Sequence, residues 1–228
     1  MKFKYKTQPY EHQRIALERS YDKINYGYFM EMGCGKSKVL IDNMAWLYEN
    51  KKIDTAIIVA PKGVYRNWQV SEIPAHLRDD IDNEVYVWNP NPNKVQKEHL
   101  LSGIEERGKL RILLVNVEGF ATPKVKAFVE KFVRGSTFLL AVDESTTIKN
   151  PKAKRTKALV TLAKFAAYKR ILTGSPVTKS PMDLYAQCGV MDKALLGFES
   201  FYSIQGRYAI TRTQRMGGHS FQQIVGYR

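Results

Sequence analysis

Met32-Gly33-Cys34-Gly35-Lys36-Ser37 is the stretch from which the rest of the chain is read. An apolar, aromatic run from Tyr26 to Met30 precedes it, and Val39, Leu40, Met44, Leu47 and Tyr48 follow at helical spacing. Strand, glycine loop, then helix opening on Lys-Ser is an arrangement that grips a nucleotide's phosphates. Glycines let backbone N–H groups approach phosphate oxygens with no Cβ in the way, and the helix N-terminus adds partial positive charge. In such a loop Lys36 reaches the β- and γ-phosphates and the Ser37 hydroxyl binds Mg²⁺. The strict pattern has glycine where Met30 stands, so the loop alone also reads as a glycine-rich turn with a solvated lysine.

Downstream, strand-like and helix-like runs alternate. Thr55 to Ala60 is a short β-branched run that reads as a buried parallel strand, with Pro61-Lys62-Gly63 at its C-terminal end. Open α/β sheets place their ligand-binding loops at that end. The next helix includes Asn67, Trp68 and Glu72 and is expected to stop at Pro74, with Trp68 as a core anchor. Val85 to Trp88 and Ile112 to Val115 are further strands, the second running into Asn116. Between and after them, Leu100, Leu101 and Ile104, then Val125, Phe128, Val129, Phe132 and Val133, keep helical spacing.

Thr137 to Val142 is the most apolar strand, and it ends in Asp143-Glu144. Two carboxylates at a buried strand end are costly unless water, a metal or a base reaches them. A nucleotide hydrolase uses the first for Mg²⁺ and the second to orient the attacking water, whereas a solvated acidic pair needs neither. A polar loop containing Lys149 and a basic stretch (Lys152, Lys154, Arg155, Lys157) come next. Arg170 to Leu172 is the last strand and ends in Thr173-Gly174-Ser175-Pro176, small hydroxyl residues able to sense a γ-phosphate. This alternation predicts an α/β fold, a mostly parallel sheet covered by helices on both faces.

Before the glycine loop, Pro9 suits a helix start, and Gln13 offers an amide that can pair with an adenine edge beside the flat ring of Tyr10. Taken alone, Gln13 reads as a surface glutamine. After Gly197 the chain turns aromatic and basic and loses the strand–helix rhythm.

The 228 residues suffice for one sizeable core, and 44% hydrophobic with 25% charged residues is ordinary for a globular protein. A net charge of +14 points to a polyanionic partner, nucleic acid before membrane because no amphipathic basic helix stands out. Two cysteines, Cys34 and Cys188, give neither a disulfide framework nor metal-ligand spacing. No signal segment or membrane-length apolar run is present, so a cytoplasmic location is expected.

Taken together and in order, these motifs resemble the first RecA-like lobe of superfamily-two helicases, in particular the Swi/Snf-type DNA-dependent ATPases and their short phage and bacterial relatives. The likeness rests on Glu31 to Ser37, on Val59 to Lys62 with Asn67-Trp68 and Glu72, on Asp143-Glu144 with Ile148-Lys149-Asn150, and on Leu172 to Pro176. It covers about Pro9 to Tyr202. It implies an ATP-dependent DNA helicase or translocase with a RecA-like P-loop NTPase lobe, with ATP and Mg²⁺ as cofactors. By resemblance, Gln13 reads adenine, and Gly33, Cys34, Gly35, Lys36 and Ser37 surround the phosphates. Ser37 and Asp143 hold Mg²⁺, and Lys36, Asp143 and Glu144 are the catalytic set. Lys62, Asn116 and Lys149 touch the nucleic-acid backbone (DNA, with RNA not excluded), and Thr173, Gly174 and Ser175 couple the two sites.

Two departures stand out. Met30 replaces the usual aspartate, and Ser145-Thr146 follows Asp143-Glu144 where the family has a small residue and a histidine, which removes an imidazole linking the Mg²⁺ site to the strand-end Thr-Gly-Ser. The expected boundaries are residues 1–200 for the ATP-binding lobe and 201–228 for a linker or the start of the segment leading to a second lobe, so the chain reads as a fragment. A phage or bacterial cell is the expected source. Two other readings stay open at this point: a nucleic-acid-binding module without turnover, and a P-loop kinase or nucleotide switch acting on a small molecule.

Overall fold

The computed structural model describes residues 3–228. Six strands form one sheet in the order β1-β6-β5-β2-β4-β3: β1 (Asn25–Phe29), β2 (Thr55–Ala60), β3 (Asn83–Val87), β4 (Leu110–Asn116), β5 (Phe138–Val142) and β6 (Tyr168–Thr173). All five pairings are parallel. The most apolar runs of the sequence, β2, β4 and β5, lie side by side in the middle, where both faces are covered. The partly exposed β1 and β3 take the two edges.

Strand alternation divides the core in two. Ala56, Ile58, Ile112 and Leu114 face Leu17 of α1 (Glu11–Ser20), Leu40 and Met44 of α2 (Lys36–Glu49), and Trp68. Ile57, Val59, Leu113, Val115, Leu140 and Val142 face the opposite layer. That layer comprises α5 (Lys94–Glu105), α6 (Pro123–Phe132), α7 (Lys154–Ala163) and α8 (Asp183–Met191). A covered parallel sheet with helices on both faces is therefore the observed architecture.

Trp68 sits in a compound helix: α3 (Tyr65–Asn67), a π-helical turn (Trp68–Glu72) and α4 (Ile73–His76). The helix does not stop at Pro74, as the sequence suggested, but runs through it. Proline clashes with the carbonyl four residues back, and widening the helix so that Ile73 N–H reaches Trp68 O relieves that crowding.

Buried Arg170 fixes α1 to the sheet. Its guanidinium donates to Asn43 Oδ1 and Ser20 O at 2.9 Å each, and to Lys169 O at 2.8 Å. The terminal segment, expected to be a linker or the start of the segment leading to a second lobe, is built of regular elements. Residues 201–228 form α9 (Phe201–Tyr208) and an antiparallel hairpin of β7 (Ala209–Met216) and β8 (His219–Tyr227). Gly217 and Gly218, at φ 58° and 81°, make the two-residue turn, a backbone open to glycine at both positions.

Candidate functional site

Every loop singled out in the sequence opens on the C-terminal edge of the sheet. The phosphate loop follows β1, Thr173 to Ser175 end β6, and Asp143-Glu144 follow β5. Lys62 follows β2, and Asn116 ends β4. Because β6 lies between β1 and β5, the glycine loop and the two carboxylates stand two strand spacings apart, roughly 10 Å.

In the phosphate loop, Gly33 and Gly35 have φ of 80° and 74°, and Gly35 caps α2. Lys36 is buried, and its Nζ donates to Met30 O and Glu31 O at 3.1 Å each, folding the side chain over the loop. Ser37, half-buried, is the next residue of α2. Gln13 is buried, not on the surface. Its Oε1 accepts from Tyr10 N–H and its Nε2 donates to Cys34 O, both at 3.0 Å. His12 Nε2, which the sequence did not single out, donates to the same Cys34 oxygen at 3.0 Å. Tyr10 is exposed and stacks on His12 with ring centroids 5.9 Å apart.

Asp143 is buried, with Oδ2 accepting from Trp68 Nε1 and Oδ1 from Glu144 N–H, both at 2.9 Å. Burial pushes its carboxyl above the ordinary range, opposed by those two hydrogen bonds and by the charge of Lys36. Glu144 is pushed up by its own burial and by Asp143, again opposed by Lys36. Its backbone is left-handed at φ 46°, an uncommon state for a residue with a Cβ. The Lys36 charge is thus felt at both carboxyls across the intervening strand.

Trp68 is the core anchor the sequence suggested, yet its indole N–H also holds the strand-end carboxylate. No spacing rule points to that contact across 75 positions. Beside it, Thr173 Oγ1 accepts from Ser175 N–H at 3.2 Å. A Cβ on Gly174 would lie 3.3 Å from Met32 N, so the Thr-Gly-Ser turn abuts the phosphate loop directly.

The residues expected to meet nucleic acid are only partly free. Lys62 is exposed, and Asn116 is half-buried and donates to Glu118 Oε2 at 3.3 Å. Lys149 is half-buried and already partnered: its Nζ bonds Thr178 Oγ1 and lies 3.7 Å from Asp183 Oδ2. Among the described residues, no group of three or more His, Cys, Asp or Glu is placed to hold a metal ion, and no helix is long and apolar enough to cross a membrane.

Fold and site together define an α/β domain of the RecA-like P-loop class. Residues 20–205 match the model of the SNF2-related domain, and the chain belongs to that family. It is similar to Protein CHROMATIN REMODELING 24 of Arabidopsis thaliana, with 23% identity over 98% of this chain and 21% of that protein. It is also similar to a human helicase-like transcription factor, at 25% identity over 66% of this chain and 15% of that protein. In fold it is similar to the SWI2/SNF2 ATPase core of Sulfolobus solfataricus, whose structure was solved in complex with dsDNA. The TM-score is 0.68 at 17% identity, over 90% of this chain and 40% of that one. The chain spans about a fifth or less of these curated relatives. They are plant and human proteins, so the expected phage or bacterial source, and a cytoplasmic location in such a cell, find no support in them.

Proposed function

We propose that this chain is the ATP-binding lobe of an ATP-dependent DNA translocase or helicase, and that alone it turns ATP over very slowly. One observation carries the reading: the glycine loop and Asp143-Glu144 open on the same sheet edge, with Lys36 acting electrostatically on both carboxyls. On a kinase acting on a small molecule, the net charge of +14 and the exposed Pro61-Lys62 loop have no role.

In this reading the loop N–H groups and Lys36 hold the β- and γ-phosphates, which displace Met30 O and Glu31 O as partners of the ammonium. Gln13 keeps one N–H and one lone pair beyond its two described bonds for the adenine edge, and Tyr10 lends its ring. The donor set suits Mg²⁺, which binds through one or two protein oxygens with phosphates and water completing its shell. Asp143 is a buried carboxylate whose two described hydrogen bonds come from neutral donors, and Ser37 supplies a hydroxyl. Bound Mg²⁺ would neutralise charge developing between the β- and γ-phosphate oxygens. Glu144 orients the water, and its raised proton affinity suits it to accept a proton.

Lys62, Asn116 and neighbouring loops meet the nucleic-acid backbone, which carries no sequence information. The proposed lobe covers residues 1–200, with 201–228 leading toward a second lobe that supplies an arginine. Such an arginine is worth about a thousandfold or more in rate. The test is steady-state ATPase with and without duplex DNA, in this chain and in a chain extended to include the second lobe. Negligible turnover here and DNA-stimulated turnover in the longer chain are expected. DNA-stimulated turnover in this chain near that of the longer one, or none in the longer chain, would overturn the proposal.

A further inference from the structure

Asp143-Glu144 and Thr173 to Ser175 sit on neighbouring strand ends, and one buried amide touches the loops behind both. Ser145 Oγ donates to Gln187 Oε1 at 2.6 Å. Gln187 Nε2 donates to Pro176 O and to Asp183 O, both at 2.7 Å. Ser145 and Gln187 are each 0% exposed, so no solvent stands in for a lost partner. Ser145 directly follows Glu144. Pro176 closes the turn whose Gly174 abuts Met32 of the phosphate loop. A continuous path therefore runs from the phosphate loop through Gly174, Pro176, Gln187 and Ser145 to the carboxylates.

The chemistry of the path is specific to a primary amide. Gln187 must accept at one atom and donate twice at the other, and no other side chain of its length and charge does both. A second, outer tie holds the same two loops. Asp183 Oδ2 accepts from Thr178 N–H at 2.9 Å, Thr178 Oγ1 at 2.7 Å and Lys179 N–H at 2.8 Å, with Lys149 beside it. Removing the Gln187 amide should therefore loosen the setting of the loops without releasing them from α8.

We propose that Gln187 is a positioning residue that links the Thr173–Ser175 turn to Asp143-Glu144, so that the phosphate loop's occupant sets the carboxylates through Gly174, Pro176 and Ser145. This rests on the nucleotide-site reading above. ATP differs from ADP at the γ-phosphate, where the carboxylates and the turn converge. The link thus bears on the preference for ATP and not on affinity for the shared part of the nucleotide.

The test is calorimetry of the 228-residue chain with MgATP and MgADP, for the unaltered protein, Gln187→Leu, Ser145→Ala and the double variant, beside thermal unfolding of each. MgADP affinity is expected to hold within about twofold, while preference for MgATP falls about tenfold in either single variant and no further in the double. Ser145→Ala removes one oxygen and keeps the test open should Gln187→Leu fail to fold. ATP and ADP affinities falling together, an unchanged preference in Ser145→Ala, or additive losses would overturn the link. If the unaltered chain binds neither nucleotide, the nucleotide-site reading fails first and takes the link with it.

Discussion

Trp68 donates its indole N–H to Oδ2 of Asp143 across 2.9 Å, joining a π-helical turn on one face of the sheet to the carboxylate at the end of β5. The bond favours the ionised carboxylate against a burial that disfavours it. Trp68→Phe removes the donor together with part of a buried ring, so thermal unfolding of the variant is measured alongside binding. Hydrogen bonds to charged groups are worth about 1.5–3 kcal/mol, so the Mg²⁺-dependent part of nucleotide binding should weaken roughly ten- to a hundredfold. Binding measured in chelator should stay unchanged. Equal losses with and without Mg²⁺ would remove Asp143 from the metal's surroundings.

Lys38 and Asp42, one turn apart on α2, form an ion pair at 2.7 Å with side chains 6% and 4% exposed. Burial outweighs the lysine and pushes the Asp42 carboxyl up to about 6 from its ordinary 3.8. The folded state then holds this proton more tightly than the unfolded chain, so this group adds stability as the pH falls through 6. Relative to Asp42→Asn, the unaltered chain should gain on the order of 1 kcal/mol in unfolding free energy between pH 7 and pH 5. Denaturant titrations at the two pH values check this, and a constant difference would contradict it.

Gly35 carries two constraints: φ of 74°, and a position where a Cβ would stand 2.2 Å from Gln13 Nε2. Gly35→Ala should therefore break the Gln13–Cys34 bond as well as strain the backbone. Adding Gln13→Ala removes the clash but leaves the left-handed strain, about 1–2 kcal/mol. Unfolding of the single and double variants separates the two effects. A Gly35→Ala protein as stable as the unaltered chain would mean the loop is not held in this form.

Much of this was legible in the sequence because it depends on local chemistry. The glycine loop, the apolar runs of β2, β4 and β5, and their polar ends report strand, turn and burial directly. What was missed depends on distance along the chain or on competing signals. Trp68 with Asp143, and Ser145 with Gln187, meet only once the strand order is known, and residue spacing does not encode that order. Lys149 lies beside Asp183 of α8, a neighbour 34 positions away that no spacing in the sequence marks. Gly217-Gly218 between β-prone residues is a hairpin signal that the aromatic, basic composition around it obscures. Pro74 misled because a π-turn absorbs the crowding that normally ends a helix.

The charge of +14 and the exposed strand-end Lys62 predict nucleic-acid binding through phosphates. If roughly three to five phosphates are neutralised, log K should fall with log salt at a slope of about −2 to −5, alike for duplexes of scrambled sequence. Fluorescence anisotropy over a salt series measures it. A flat dependence, or strong preference for one sequence, would contradict backbone binding.

The central claim is that the loop around Lys36 binds a nucleotide's phosphates, and calorimetric titration of MgATP into the unaltered chain and into Lys36→Ala tests it most directly. Among the described residues Lys36 Nζ donates to two backbone carbonyls and forms no ion pair, so its loss should leave the fold intact. On the proposed one-lobe reading no opposing wall closes the site, so affinity on the order of 0.1–1 mM is expected for the unaltered chain. Losing a charge-assisted contact should weaken that roughly ten- to a hundredfold. Saturable binding by the unaltered chain that largely disappears in a folded Lys36→Ala protein is the predicted result. Equal affinity in the two proteins, or no binding by the unaltered chain at millimolar MgATP, would contradict the account.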